Sequence, residues 1–193
     1  MIMTQLGFYI NQARCVGCKA CVIACKDKND NPVGVNFRRV YSFESGTFTK
    51  NMDGTFENNV QAFYLSIGCN HCEDPGCVKG CPTTAMHKRE EDGVVVVDSD
   101  KCVGCKYCQW NCPYDGPQFN ENTGKMTKCN LCIDLLEKGE RPACEAACIY
   151  RAIEVGPIEE LRRKYGNVSE VKEMPSAGIT KPNIVITPHK YAN

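Results

Sequence analysis

Sixteen cysteines fall into four groups of four, with none left over. The first group, Cys15, Cys18, Cys21 and Cys25, is spaced C-x2-C-x2-C-x3-C. The third, Cys102, Cys105, Cys108 and Cys112, repeats that spacing and is followed by Pro113. In the second group, Cys69, Cys72, Cys77 and Cys81, the middle gap widens to four residues; in the fourth, Cys129, Cys132, Cys144 and Cys148, it widens to eleven. Thiols at this density make disulfides, hold zinc or hold iron–sulfur clusters, and compartment and spacing separate the three.

The N-terminus, MIMTQLGFYINQARC, has no basic start, no apolar run of sufficient length and no small-residue cleavage site. The reading is a chain made in the reducing cytoplasm, where disulfides do not persist. A structural zinc site takes two C-x2-C pairs across a long loop; only the fourth group looks like that in isolation. The run C-x2-C-x2-C-x3-C-P is instead the bacterial ferredoxin signature, whose fourth cysteine ligates the other cluster of a pair. Three cysteines of one group with the last of a partner group give four ligands per cluster, and four such sets use all sixteen. Adjacency and the shared Cys-Pro ending pair group two with group three, leaving group one with group four.

Nothing else in the chain suggests chemistry on a substrate. There is no nucleophile–base constellation, phosphate-cradling glycine loop or nicotinamide fingerprint. The histidines are His71, His87 and His189. His71, between Cys69 and Cys72, is read as bonded to sulfur or facing solvent, and His87 as the start of a solvated charged turn. Tyr107 and Trp110 are read as shielding a cluster. Basic and acidic residues balance at 23 each, so bulk charge implies no nucleic-acid partner. No apolar stretch is long enough to span a membrane. Without its cysteines the apolar fraction falls from 42% to roughly a third, thin cover for the entropy of folding, so the metal centres must help hold the chain together.

Around these groups the pattern predicts an α+β fold. Strands are expected at LGFYI (6–10), GVVVVD (93–98), AIEVG (152–156) and NIVIT (183–187). FRRVYSF (37–43) and VQAFYLSI (60–67) predict a β-hairpin with a long polar tip inside an insertion spanning 26–68. Helices are expected over 129–138 and over 157–164. The second has proline first, acids in its first turn and bases in its last. A tail then runs to 193.

The four groups, with CNHCEDPGCVKGCP (69–82), AMHKRE (85–90), CVGCKYCQWNCPY (102–114), MTKCNLC (126–132) and TKPNIVI (180–186), resemble the iron–sulfur subunits of anaerobic dimethyl sulfoxide reductases. More broadly they resemble the four-cluster electron-transfer subunits of molybdopterin oxidoreductases. The resemblance covers nearly the whole chain. It implies a single unit, 1–193, of two fused ferredoxin-type halves, with an inserted hairpin and an extended tail. Groups 15–25 and 129–148 would form one half, and 69–81 and 102–112 the other. It implies four 4Fe–4S clusters with the ligand sets Cys15, Cys18, Cys21, Cys148; Cys25, Cys129, Cys132, Cys144; Cys69, Cys72, Cys77, Cys112; and Cys81, Cys102, Cys105, Cys108. A nitrate reductase branch has tryptophan at one group-three cysteine and a three-iron cluster; Cys105 is retained here. Ile149 stands where those subunits carry proline.

The implied function is non-catalytic: electrons pass from a quinol-oxidising membrane anchor through the clusters to a molybdopterin catalytic subunit. Membrane association would come through partners, and any export would be in folded form with the catalytic subunit. A related subunit serving polysulfide, thiosulfate or tetrathionate is the nearest alternative. A freestanding polyferredoxin and a zinc protein are the others.

Overall fold

A chain with little apolar content beyond its cysteines can build only short elements, and the structure consists of them. It is a computed structural model describing residues 4–192. Residues 1–3 of the N-terminal stretch read for a signal, and Asn193 at the end of the tail, lie outside the described residues. The first element, β1 (Leu6–Asn11), leads into α1 (Ala20–Lys28). The excursion follows as β2 (Arg39–Ser45), β3 (Phe48–Lys50), β4 (Phe56–Asn58) and β5 (Gln61–Ile67). Next come α2 (Gly76–Lys79), β6 (Met86–Lys88), β7 (Val95–Val97), α3 (Tyr107–Trp110), β8 (Gln118–Asn120), β9 (Lys125–Thr127), α4 (Ile133–Leu136) and α5 (Ala143–Ala146). The chain ends with β10 (Ile153–Pro157), α6 (Ile158–Tyr165) and β11 (Ile184–Thr187). The class is mixed α and β, with helices of four to nine residues.

One sheet joins distant parts of the chain in the order β10-β1-β11. β1 runs antiparallel to β10 and parallel to β11. Strand periodicity sorts its side chains. Phe8 and Ile10 of β1, with Ile184 and Ile186 of β11, face the core that contains Cys21, Cys25, Cys144 and Cys148. Tyr9 and Val185 point the other way and meet Ile158 and Leu161 of α6, where Tyr9 stacks on Tyr165 at 3.5 Å between ring centroids. The remaining sheets are two-stranded: β2-β5, β3-β4, β6-β7 and β8-β9. The polar tip is thus not a plain loop. Asn51 N–H donates to the carbonyl of Thr55 at 2.8 Å, and Asp53 and Gly54 turn a second small hairpin, β3-β4.

The expected helix over 129–138 shrinks to α4. Leu131 and Cys132 take φ of 62° and 52°, in the left-handed region, which prevents a right-handed helix from starting before Ile133. Helical propensity here yields to the geometry of a C-x2-C loop.

Candidate metal centres

The two CVGC segments fold alike. Gly17 and Gly104 have φ of 72° and 70°, and Lys19 and Lys106, immediately before α1 and α3, have φ of 61° and 65°. Only glycine reaches the first position without strain. A side chain there would also collide, with the Tyr64 ring at Gly17 and with the Gly124 carbonyl at Gly104. Groups two and four share another pattern. His71 and Leu131 (φ 43° and 62°) lie inside the C-x2-C loop, and Pro75 and Pro142 stand just ahead of α2 and α5.

These loops bring cysteines from distant groups together. Cys15, Cys18, Cys21 and Cys148 line one pocket, with Val40 and Ser66 beside them. Cys81, Cys102, Cys105 and Cys108 line another, against Met86 and Met126. A zinc ion would draw its four thiolates to about 2.3 Å from its centre. Among the described residues no group of three Cys, His, Asp or Glu side chains converges to hold a single ion. All sixteen cysteines are free thiols. The donor sets therefore suit a bulky sulfur-ligated cluster better than zinc or disulfides.

The remaining cysteines lie close enough to act on one another. Burial pushes the Cys25 thiol up to about 12, helped by Cys144 and Cys132. Burial likewise pushes Cys129 up, helped by Cys69, Cys25 and Cys144. Cys77 is raised by burial and by Cys69, Cys112 and Cys72, and Cys72 reaches about 12 by burial with Cys69 and Cys112 beside it. Cys69 acts on Cys129 as well as on Cys72 and Cys77, so groups two and four meet in the interior. A thiol with so high a pKa stays protonated unless a metal takes the proton's place.

Backbone amides are already aimed at several sulfurs. Donors are Met86 N–H to Cys81 Sγ (3.3 Å), Gly116 to Cys112 (3.3 Å), Met126 to Cys102 (3.4 Å), Leu131 to Cys129 (3.3 Å) and Ala152 to Cys148 (3.2 Å). Hydrogen bonds to sulfur stabilise negative charge there and tune cluster potential. At Cys81 burial raises the thiol, but the Met86 amide and the Thr83 hydroxyl outweigh it and bring its pKa down.

His71 neither faces solvent nor bonds to a sulfur: it is fully buried, and its Nδ1 accepts the Val95 N–H at 3.0 Å. Burial, with the nearby Lys128 charge, holds its pKa well below the usual value, so it is neutral. Trp110 and Tyr107, read as shielding a cluster, lie at the surface. They are 72% and 48% exposed, and their rings meet at 5.4 Å. Ile149 is also exposed, at 72%, so its replacement of proline disturbs no core contact. Sequence reasoning missed Arg38 and Ser66. Arg38 Nη1 donates to Ser66 Oγ at 3.3 Å, and Ser66 Oγ lies 3.5 Å from Cys21 Sγ. Both lie far from any group-one cysteine in the chain, and only the paired strands β2 and β5 bring them there.

Residues 60–158 match the 4Fe–4S dicluster domain. Over 186 residues the sequence is 53% identical to a chain of the anaerobic dimethyl sulfoxide reductase of Escherichia coli, covering 96% of this protein and 90% of that one. The corresponding chain of the Haemophilus influenzae enzyme is 48% identical over 190 residues, 98% and 92% of the two lengths. A subunit of the tetrathionate reductase of Salmonella typhimurium is 35% identical over 187 residues, 97% and 71%. The chain belongs to the family of anaerobic dimethyl sulfoxide reductase iron–sulfur subunits. It is an electron-transfer subunit that carries 4Fe–4S clusters, and catalysis in such enzymes lies in another polypeptide. Among the described residues no helix is long and apolar enough to cross a membrane.

Proposed function

We propose that this subunit relays electrons through four 4Fe–4S clusters, from a quinol-oxidising membrane anchor to a molybdopterin catalytic subunit that reduces dimethyl sulfoxide or a similar acceptor. The observation that carries this reading is the grouping of cysteines into four quartets, two of which wall cavities at separate places in the fold. In this reading Cys15, Cys18, Cys21 and Cys148 hold cluster 1; Cys25, Cys129, Cys132 and Cys144 hold cluster 2. Cys69, Cys72, Cys77 and Cys112 hold cluster 3, and Cys81, Cys102, Cys105 and Cys108 hold cluster 4. Groups 15–25 and 129–148 then make one ferredoxin-type half, and 69–81 and 102–112 the other, fused as one unit. The insertion at 26–68 and the stretch from 157 onward are additions to that frame. The matching φ angles of the two CVGC segments support a duplicated half.

When bound, each cluster takes up and gives back one electron. The protein's part is to hold the thiolates, supply amide hydrogen bonds to them and keep water away. Val103, Tyr107 and Trp110 stand exposed beside the cluster 4 loop, and Val16, Ile149 and Tyr150 beside the cluster 1 loop. Apolar residues at the two ends of the relay suit two stable partners, whereas a freestanding shuttle needs only a small transient surface. Membrane attachment through those partners, and passage of the folded pair to whichever side the catalytic subunit occupies, follow from this assignment. Dimethyl sulfoxide is favoured over tetrathionate as the acceptor by the 53% against 35% identity of the two relatives.

The test is Cys105→Ser in the assembled complex. The unaltered complex should carry about sixteen irons and as many sulfides in this subunit. The variant should convert one cluster to a three-iron form and abolish most quinol-driven turnover, while an artificial donor to the catalytic subunit still works. Loss of both activities with assembly intact would refute the relay.

A further inference from the structure

Among the described residues the buried charged side chains are Arg38 and Lys128, 3% and 5% exposed. No aspartate or glutamate is buried with them, and neither makes an ion pair among the described residues. An unpaired buried cation is costly to keep, so a folded chain that holds two needs compensating negative charge nearby. No such charge comes from a carboxylate. The anionic groups within electrostatic reach of both are cysteine thiols.

Arg38 sits over the Phe8 ring, 4.4 Å from its centroid. Its Nη1 donates to the Ser66 carbonyl at 3.4 Å and to Ser66 Oγ at 3.3 Å. With that oxygen accepting from Arg38, the Ser66 hydroxyl proton is left for Cys21 Sγ, 3.5 Å away. Arg38 Nη2 is buried without a partner. The thiols that act on the guanidinium are Cys144, Cys21, Cys129 and Cys25, from the cluster 1 and cluster 2 sets. Lys128 Nζ donates to the carbonyl of Cys129, at 2.6 Å, and to that of Val95. Val95 packs in an apolar cluster with both Cys77 and Cys108, but the Lys128 charge acts on Cys77, Cys112 and Cys129. The side chains acting on Cys108 are instead Cys81, Cys102 and Cys105. Lys128 thus lies between the cluster 2 and cluster 3 sets.

We propose that Arg38 and Lys128 are positioning charges for electron transfer: each raises the reduction potentials of the two clusters it lies between, so cluster 2 feels both and cluster 4 feels neither. This rests on the ligand sets proposed above. The reasoning is Coulombic. Reduction brings one electron from the donor partner into a centre whose four thiolates already make it anionic; no bond or proton moves. A fixed positive charge in a poorly screened interior favours the reduced form. The guanidinium of Arg38 keeps its charge at every accessible pH. Its negative counterpart is supplied by the loaded clusters, so its lone burial has a function in the holoprotein. The junction between clusters 3 and 4 has no such cation among the described residues.

The experiment is a potentiometric titration of the holocomplex followed by EPR, on the unaltered protein and on Arg38→Gln, Arg38→Lys, Lys128→Gln and Lys128→Arg. The unaltered complex must show four clusters, with one identified as cluster 4 by its conversion in Cys105→Ser. A different count refutes the ligand sets and this inference with them. With four present, Arg38→Gln should lower two potentials by about tenfold in the one-electron equilibrium, about 59 mV. Lys128→Gln should lower two, one of them shared with Arg38→Gln, and cluster 4 should move in neither. The charge-keeping variants should move them by much less. Unchanged potentials, a uniform shift of all four, or equal shifts in Arg38→Lys and Arg38→Gln would overturn the proposal while leaving the ligand sets intact. If Arg38→Gln does not assemble, the Lys128 pair carries the same test.

Discussion

Residues 15–25 and 102–112 share the spelling CVGCKxC and the same loop backbone, yet their surroundings have little in common. In the first segment the helix continues for nine residues, because Lys26 follows Cys25. In the second α3 stops at Trp110, three residues ahead of Pro113, which cannot continue a helix. Cys21 has the Ser66 hydroxyl and the Arg38 charge behind it, both delivered by the excursion. Cys108 has neither; the β8-β9 hairpin lies over its loop, and Tyr107 and Trp110 face outward. A cysteine motif thus dictates its own loop, and the electrostatic character of the centre comes from whatever sequence is folded against it.

Three substitution sets probe that contrast. The largest effect is expected at the glycines. Gly104→Ala should destabilise the holoprotein by roughly 2–4 kcal/mol, from left-handed strain plus collision with an immovable carbonyl. Gly17→Ala should lose about 1–2 kcal/mol, because the Tyr64 ring can swing aside. Heat-driven bleaching of the cluster absorption under nitrogen measures both; equal losses would mean that the two loops are not distinguished by their neighbours. Next, Ser66→Ala should cost about 1–3 kcal/mol, since it strips a donor from Cys21 and leaves Arg38 less satisfied. Thr83→Val, at the longer 3.7 Å contact with Cys81, should cost less than half as much in the same assay.

The smallest effect concerns the Lys28–Asp134 ion pair, 2.8 Å long, which ties α1 to α4 and has no counterpart on α3 among the described residues. The hydrogen bond to Lys28 lowers the Asp134 pKa, and the bond to Asp134 raises that of Lys28. The carboxylate's contribution is therefore complete above its unfolded value, about 3.9, and is lost as pH falls through its lower folded value. That of the lysine is complete below about 10.4 and is lost as pH rises through its higher folded value. Asp134→Asn should cost less than about 1 kcal/mol at neutral pH, since the pair is half-exposed. The cost should vanish in acid, and a deficit that persists below the carboxylate range would assign it to packing instead.

Much of this arrangement was legible in the cysteines themselves. Their spacing separated clusters from zinc, and the strand segments at 6–10, 152–156 and 183–187 stood out by β-branched and aromatic content. Proline and charge order marked α6. Less legible were elements whose conformation is set from outside. Residues 129–132 carry helical propensity yet curl left-handed around their thiols, and the polar tip folds into β3-β4 through its own turn. Arg38 and Ser66 were invisible for a simpler reason: each is an ordinary strand-region residue until β2 and β5 pair and carry it across to Cys21.

The sheet order β10-β1-β11 has a consequence for how the protein is made. β1 lies between two strands that follow it far along the chain, and Cys148 joins Cys15, Cys18 and Cys21 across a similar separation. Such non-local pairing waits for the whole intervening chain. Cys15, Cys18 and Cys21 are therefore made long before the strand and the cysteine that enclose them. Filling that quartet has to wait until the chain has reached Cys148.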